Sequence, residues 1–162
     1  NALSLVVLTS YVKDLITVDS VGSTDRAGQT GLRGGTPPGV PDWLVDATAS
    51  LDIGDAFTFN THVRWINSGF FFPSFVEPGD PDYSLTNPNS ANTNSVPSKT
   101  YVDLLATYRL DLGFAERAEI YAGVDNVFNT DPPNFPGANG AGNNVLFNPV
   151  GRFFKGGVRL RF

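Results

Sequence analysis

The chain has no cysteine and no methionine, and it contains a single histidine, His62. Without cysteine there can be no disulfide and no thiolate metal site, and one histidine excludes a metal site built from several imidazoles. Because methionine is absent, we expect Asn1 to follow a processing event or an excision rather than a start codon. These absences point away from disulfide-rich and metal-dependent proteins.

Long apolar runs and a positive net charge are also missing. The apolar stretches, such as 5–8, are far shorter than the ~20 residues of a membrane helix, which excludes a helical membrane protein. The formal net charge of −5 argues against a nucleic-acid partner, which would require a basic surface. The mean hydropathy of −0.09 fits a β-barrel, because barrel strands alternate lipid-facing and interior residues.

The positions of proline divide the chain. All 12 prolines lie in the windows 37–41, 73–97 and 132–149. Because proline cannot donate to a β-ladder, strands are predicted between these windows. Period-two alternation of apolar and polar residues predicts strands at 2–18, 43–53, 57–66, 101–112 and 117–128, and in the last segment, which carries Phe154, Val158, Leu160 and Phe162 on one face. The first of these is apolar on both faces, so its register stays open.

The connections between these strands alternate between long and short. Tight turns are predicted at Gly54 and Asp55 and at 113–116, whereas the other three connections have roughly twenty residues or more. Outer-membrane barrels combine short periplasmic turns with long extracellular loops in this way. Large aromatic residues are predicted at both strand ends of the lipid-facing side, with Trp43 and Trp65 near the long loops and Phe57 and Phe162 near the short turns. The sequence therefore predicts an all-β, antiparallel up-and-down meander of about six transmembrane strands.

Short motifs follow one another in a fixed order from Tyr101 to the end of the chain. Tyr101-Val102-Asp103-Leu104 begins a strand, and the next strand ends with Val124, Asn126 and Phe128. A proline-rich loop follows, then Gly151, Arg152 and Phe154 at the start of the last strand, and a terminal Phe162. This order resembles the C-terminal end of TonB-dependent outer-membrane receptors. The resemblance implies a barrel of about 22 strands with a plugged lumen, of which residues 1–162 would supply the last six strands and three long extracellular loops.

The resemblance also implies a location and partners. The chain would lie in the bacterial outer membrane, contact its lipids, and serve energy-coupled uptake of a scarce small-molecule ligand, most typically an iron–siderophore complex. TonB would act through a plug domain that has no counterpart in this sequence, so we expect the chain to be a fragment of the receptor. The last strand, with Val158, Leu160 and Phe162 on one face, would be the signal that the barrel-assembly machinery recognises.

No catalytic constellation is visible, and we expect neither enzymatic activity nor a cofactor. No serine and carboxylate accompany His62 as a triad, and its alternation phase predicts a polar residue of the barrel lumen. Charged residues of both signs share that phase, which fits either cross-strand ion pairs or a substrate-conducting surface. In the second long loop, Phe71, Phe72, Phe75 and Tyr83 are candidate ligand contacts, although such aromatics also suit a loop that folds onto itself.

Two other functions fit parts of this pattern. One is a non-transporting outer-membrane barrel such as an adhesin, which a precursor without a plug domain would favour. The other is a soluble β-sandwich binding module, which would not require the alternation of long and short connections.

Overall fold

The structure is a computed structural model that describes residues 1–20, 22–113, 117–134, 143 and 145–161. The regular secondary structure of these residues consists of β1 (Ala2–Tyr11), β2 (Ile16–Val18), β3 (Ser23–Asp25), β4 (Trp43–Ile53), β5 (Phe57–Ile66), β6 (Gly69–Phe70), β7 (Ser95–Val96), β8 (Lys99–Leu110), β9 (Arg117–Asp125) and β10 (Phe153–Arg161). Among the described residues there is no helix long and apolar enough to cross a membrane.

The six long strands form one sheet in the order β1-β4-β5-β8-β9-β10, and every neighbouring pair is antiparallel. Each long strand therefore pairs with the next long strand along the chain. Gly54, with a φ of 58°, forms the tight turn between β4 and β5, a conformation that glycine adopts without a steric penalty. The predicted all-β class and the antiparallel meander of six long strands are confirmed. The predicted turn at 113–116 lies largely outside the described residues.

Several predicted strand ends are wrong. The first strand ends at Tyr11 instead of continuing to residue 18, and Ile16–Val18 pairs with Ser23–Asp25 as a separate antiparallel pair, β2-β3. The fourth long strand runs from Lys99 to Leu110 rather than from 101 to 112. The fifth ends at Asp125, three residues earlier than predicted, because Asn126 adopts a φ of 51° that no strand can contain. Apolar residues continue in the sequence beyond Tyr11, Leu110 and Asp125, but the strands end at these residues.

The strand register separates the sheet into two chemically different faces. One row across the six strands consists of Leu5, Ala49, Thr61, Leu104, Val124 and Phe154. Every paired position on this side is apolar, aromatic, threonine or glycine, and we call it the apolar face. The charged residues of the sheet whose side chains the structure describes occupy the opposite side, the polar face: Asp46, Asp52, Arg64, Lys99, Asp103, Arg109, Glu119, Asp125, Lys155, Arg159 and Arg161.

The buried core lies at one end of the sheet rather than along it. The three long connections, 12–42, 67–98 and 126–152, all leave this end, and described residues of the second and third pack on the polar face there. Ile66 and Tyr101 from the sheet meet Phe71 and Val96 from the second connection and Phe147 from the third. The first connection joins them through the Thr30 N–H, which donates to Phe70 O at 3.0 Å. We call these packed segments the loop cluster.

The packing between the first and second connections depends on a close approach of their backbones. A Cβ atom at Gly31 would lie 2.6 Å from the Phe71 Cα and would also overlap the Phe71 ring. A Cβ atom at Gly34, three residues further along, would meet nothing within 4 Å. Glycine is therefore required at position 31 by the approach of Phe71, and not by the general flexibility of the loop.

This close approach predicts the effect of adding one methyl group. Gly31→Ala should lower the free energy of unfolding by about 1–3 kcal/mol, because the backbone at Phe71 has to move and a well-packed region resists added volume. Gly34→Ala is the matched control in the same loop and should change it little. Urea unfolding of the two variants measures the difference, and equal stabilities would contradict the packing described here.

Candidate functional site

His62 lies between two carboxylates on the polar face. Its Nε2 is 2.9 Å from Asp46 Oδ2, and its Nδ1 is 3.2 Å from Asp103 Oδ2. The register explains the arrangement, because Asp103 is the direct partner of His62 across β5-β8, whereas Asp46 is the diagonal neighbour on β4. The imidazolium form carries two N–H groups and can donate to both carboxylates at once. The histidine thereby links three strands of the sheet.

A second group of charged residues lies on the same polar face, across strands β8, β9 and β10. Arg109 on β8 and Arg159 on β10 are both register partners of Glu119 on β9. Their guanidinium nitrogens lie 3.6 Å and 3.2 Å from the Glu119 carboxylate oxygens. Nearby, the Lys155 Nζ is 2.6 Å from Asp125 Oδ1. The cross-strand ion pairs predicted from the mixed charges are thus present on the polar face.

The polar face also contacts the long connections. Within the described part of the chain, no three His, Asp or Glu side chains are grouped as ligands for a metal ion. Arg64 donates to the Leu146 carbonyl oxygen, and its guanidinium carbon lies 5.7 Å from the Tyr101 ring centroid. This arginine therefore joins the sheet to the third connection. Charges of the polar face both pair with each other and hold the loop cluster in place.

The motif residues between 124 and 154 meet where the third connection begins and ends. Val124 and Phe154 are register partners on the apolar face. The buried Asn126 donates its side-chain amide to Thr130 O at 2.9 Å and accepts the Thr130 N–H at 2.8 Å. The Arg152 N–H donates to Asn129 Oδ1 at 2.9 Å, and Gly151 has a φ of 76°. Asn126 thus shapes the exit from β9, and Phe128 is exposed.

The residues predicted as an assembly signal lie at the sheet edge. Val158 and Leu160 pair with Ile120 and Ala118 on the apolar face of β10 and are exposed. Phe162 lies outside the described residues. The structure therefore supplies the geometry of the first two residues, and their recognition by the assembly machinery stays a prediction.

The predicted loop aromatics are brought together only in part. The ring centroids of Phe71 and Phe75 are 5.6 Å apart, as are those of Phe72 and Phe75, and all three residues belong to the loop cluster. Tyr83 is not among the residues that pack on the buried core, and it lies in a turn in which its N–H donates to Asp80 O at 3.1 Å. Phe71 is buried, so packing accounts for its position. Phe72 and Phe75 remain partly accessible as contacts.

Sequence reasoning missed two arginines of the first connection. The guanidinium carbons of Arg26 and Arg33 lie 5.8 Å and 5.0 Å from the centroid of the Phe72 ring, and Arg33 is also 5.6 Å from that of Phe75. These distances are within the range of cation–π contacts. Two arginines in a glycine-rich loop were a usable signal, but their partners lie some forty residues away and share no local pattern with them.

No protein-family model, no curated protein and no solved structure matches this chain.

The bridging position of His62 predicts a specific loss of stability. His62→Ala leaves Asp46 and Asp103 without the donor between them and should lower the free energy of unfolding by about 1 kcal/mol. The effect is modest because the three side chains are 38%, 36% and 34% exposed, so solvent screens their interaction. Asn60→Ala, on the same face of the same strand, is the control. Denaturant unfolding that failed to distinguish the two variants would exclude the bridge.

A carboxylate in the second connection predicts an acid-sensitive contact. The backbone N–H groups of Asn94 and Ser95 donate to Glu77 Oε1, and these two bonds, the one from Asn94 first, lower the pKa of Glu77. A lowered pKa contributes stability that is present above the ordinary glutamate pKa and is lost as the pH falls through the folded value. Protection of the Asn94 and Ser95 amides from hydrogen exchange should therefore decrease over this acidic range.

The Glu77→Gln variant tests this assignment. Removing the charge should weaken amide protection at neutral pH and flatten its acid dependence, because the uncharged amide is a weaker acceptor. Asp82→Asn removes one negative charge from the same connection and should leave the acid dependence of amide protection unchanged. An unchanged profile in Glu77→Gln would assign the acid sensitivity to another group.

Proposed function

We propose that the six-stranded sheet is a section of an outer-membrane β-barrel, and that the barrel is a TonB-dependent receptor for uptake of a scarce ligand. The observation that carries the membrane part of this proposal is the apolar face, which spans all six strands without a charged residue. A lipid-facing barrel surface requires this composition, because a charge at the bilayer midplane costs about 2–4 kcal/mol.

Exposure of the apolar face supports contact with lipid rather than with water. Leu3, Leu5 and Val158 on this face are 73%, 67% and 64% exposed. Isolated exposed apolar residues are ordinary, but a contiguous apolar surface of this extent is rare on a soluble monomer. In a bilayer the same side chains rest in hydrocarbon, and the cost of hydrating them disappears.

Aromatic residues border the apolar face at both strand ends. Tyr11 and Trp43 stack at the end near the long connections, with ring centroids 4.6 Å apart, and Trp65 shares the apolar face with them. At the opposite end, Phe57 and Tyr108 are register partners. Amphipathic aromatic rings favour the headgroup level of a membrane. The two aromatic groups are separated by the length of a strand of about ten residues, which is long enough for a tilted strand to cross a membrane.

The sheet edges support closure into a larger barrel. Strands β1 and β10 are the outer strands of the sheet, and each presents one side to no other long strand among the described residues. Unpaired backbone groups are not tolerated in hydrocarbon, so a membrane location requires further strands to pair with both edges. A closed barrel would turn the polar face inward, where its ion pairs would border a hydrated interior.

The receptor part of the proposal rests on the motif order from Tyr101 to Phe162 and on the loop cluster. The three long connections meet over the polar face, so in a closed barrel they would lie above its interior on the extracellular side. Such a position suits the capture of a small ligand, of which an iron–siderophore complex is the most typical for the resembled family. TonB would supply energy through a plug domain of the intact receptor.

Spin labels test the membrane proposal directly, and residues 1–162 contain no cysteine of their own. Any cysteine elsewhere in the intact protein is first replaced by serine. Single cysteines replace Leu104, Leu105, Ala106 and Thr107 in turn, in the intact protein in its native membrane. Labels at 104 and 106 should be accessible to oxygen and protected from a water-soluble nickel reagent, and labels at 105 and 107 should show the reverse. Accessibility without this alternation would contradict a lipid-facing apolar face.

A separate measurement tests the receptor proposal. Cells with the intact protein, cells without it and cells without TonB are compared for accumulation of a panel of radiolabelled ferric siderophores. Accumulation should require both the protein and TonB. Spin labels that report lipid contact, together with no TonB-dependent uptake of any ligand, would instead favour a non-transporting barrel.

A further inference from the structure

A cavity of about 390 Å³ opens between the first and second connections, and Phe72, one of the predicted loop aromatics, is among its lining residues. The hairpin β2-β3 and residues 35–37 form part of its wall, and Phe72, Pro73 and Ser74 form another part. The volume falls within the range of small-molecule sites. One wall carries the positive charge of Arg26.

Arg26 is buried to an unusual degree for a charged side chain, with 5% of its surface exposed. Its Nε donates to Thr17 Oγ1 and its Nη1 to Gln29 Oε1, both at 2.9 Å. Both acceptors are neutral, and no carboxylate of the described residues forms an ion pair with this arginine. Burying a cation costs free energy that an anion would offset. The guanidinium is therefore held by two neutral acceptors and forms no ion pair with a carboxylate of the described residues.

A second cation lies beside the same aromatic ring. The guanidinium carbons of Arg26 and Arg33 lie 5.8 Å and 5.0 Å from the Phe72 ring centroid, while Arg33 itself is exposed. Arg33 is not among the residues that line the cavity, but its positive charge beside the same ring adds to the attraction that an anion in the cavity would experience. Of the lining residues, Asp19 has a carboxylate, and its Oδ1 accepts the Gly22 N–H at 3.1 Å within a tight turn.

We propose that this cavity binds an oxyanion-bearing small molecule, with Arg26 as the buried anchor, Arg33 as an outer cation and the Phe72 ring as an apolar contact. A guanidinium pairs with carboxylate or phosphate oxygens through parallel N–H donors, so either group fits the anchor. Hydroxyls of Ser23, Thr24 and Ser74 line the same cavity and add neutral hydrogen-bonding groups. Binding of this molecule does not depend on the proposed function. Only its role as the ligand taken up rests on that proposal.

Calorimetric titration of the intact protein, purified from whichever cell fraction contains it, tests the site. The probes are phenyl phosphate and benzoate, which distinguish phosphate from carboxylate, with neutral benzyl alcohol and cationic benzyltrimethylammonium as comparisons. At least one anionic probe should bind saturably and more tightly than the other two. Failure of both anionic probes to bind, or tighter binding of the cation, would overturn the proposal.

Variants assign the binding to this cavity. Arg26→Gln should weaken the bound anionic probe about tenfold or more, since a charge-assisted hydrogen bond is lost. Arg33→Gln should weaken it about threefold, because an exposed charge contributes less. Arg152→Gln removes one exposed positive charge from the third connection and should leave affinity unchanged. Binding that neither Arg26→Gln nor Arg33→Gln affects, or that Arg152→Gln weakens equally, would overturn the assignment.

Two features keep the test informative. If Arg26→Gln fails to fold, Arg33→Gln and Phe72→Leu still report on the same cavity from accessible or partly accessible positions. Binding is also measured without reference to membrane or uptake. Anion binding without lipid contact or TonB-dependent uptake would support this inference and contradict the proposed function. Lipid contact and TonB-dependent uptake without anion binding would support the proposed function and contradict this inference.

Discussion

The antiparallel register of the six long strands is the constraint on which the other features of the molecule depend. A shift of one residue in any strand pair would exchange its two faces and move charges such as Asp46 and Glu119 onto the apolar face. The register that keeps the apolar face uncharged also brings His62 opposite Asp103 and Arg109 opposite Glu119. Separation of the faces and pairing of the charges are therefore two results of one hydrogen-bonding pattern.

The loop cluster depends on the same register in a second way. Because each long strand runs antiparallel to the next, the three long connections all leave the same end of the sheet. Their described residues pack together beside the polar face. Their apolar residues bury one another and the strand-end residues Ile66 and Tyr101. Among the described residues, the regular structure over this core is limited to short strands such as β7, which contributes Val96. Strand β1 carries Val6 and Leu8 exposed on the polar face as well, which is why alternation alone left its register open.

Much of the sheet followed from the sequence, although several strand ends did not. The predicted bounds of the second and third long strands agree with β4 and β5, since turn residues stand directly beside an alternating segment. The first strand was predicted too long because residues 12–18 remain rich in apolar side chains, yet the chain leaves the ladder after Val12, whose N–H donates to Asp42 O. The aromatic group at Phe71, Phe72 and Phe75 was recognised, but its cationic neighbours were not.

The sequence by itself determined the strand segments, their two faces and the alternation of long and short connections, because proline exclusion and period-two patterning act within a few residues. Only the tertiary structure decided which loop residues meet. Contacts such as Asn143 with Thr30, or Gly31 with Phe71, join segments far apart in the chain and depend on close backbone approach, for which no local pattern exists. The buried Arg26 and its cavity belong to this second class, since an arginine in a glycine-rich loop is ordinarily a solvated surface residue until the fold covers it.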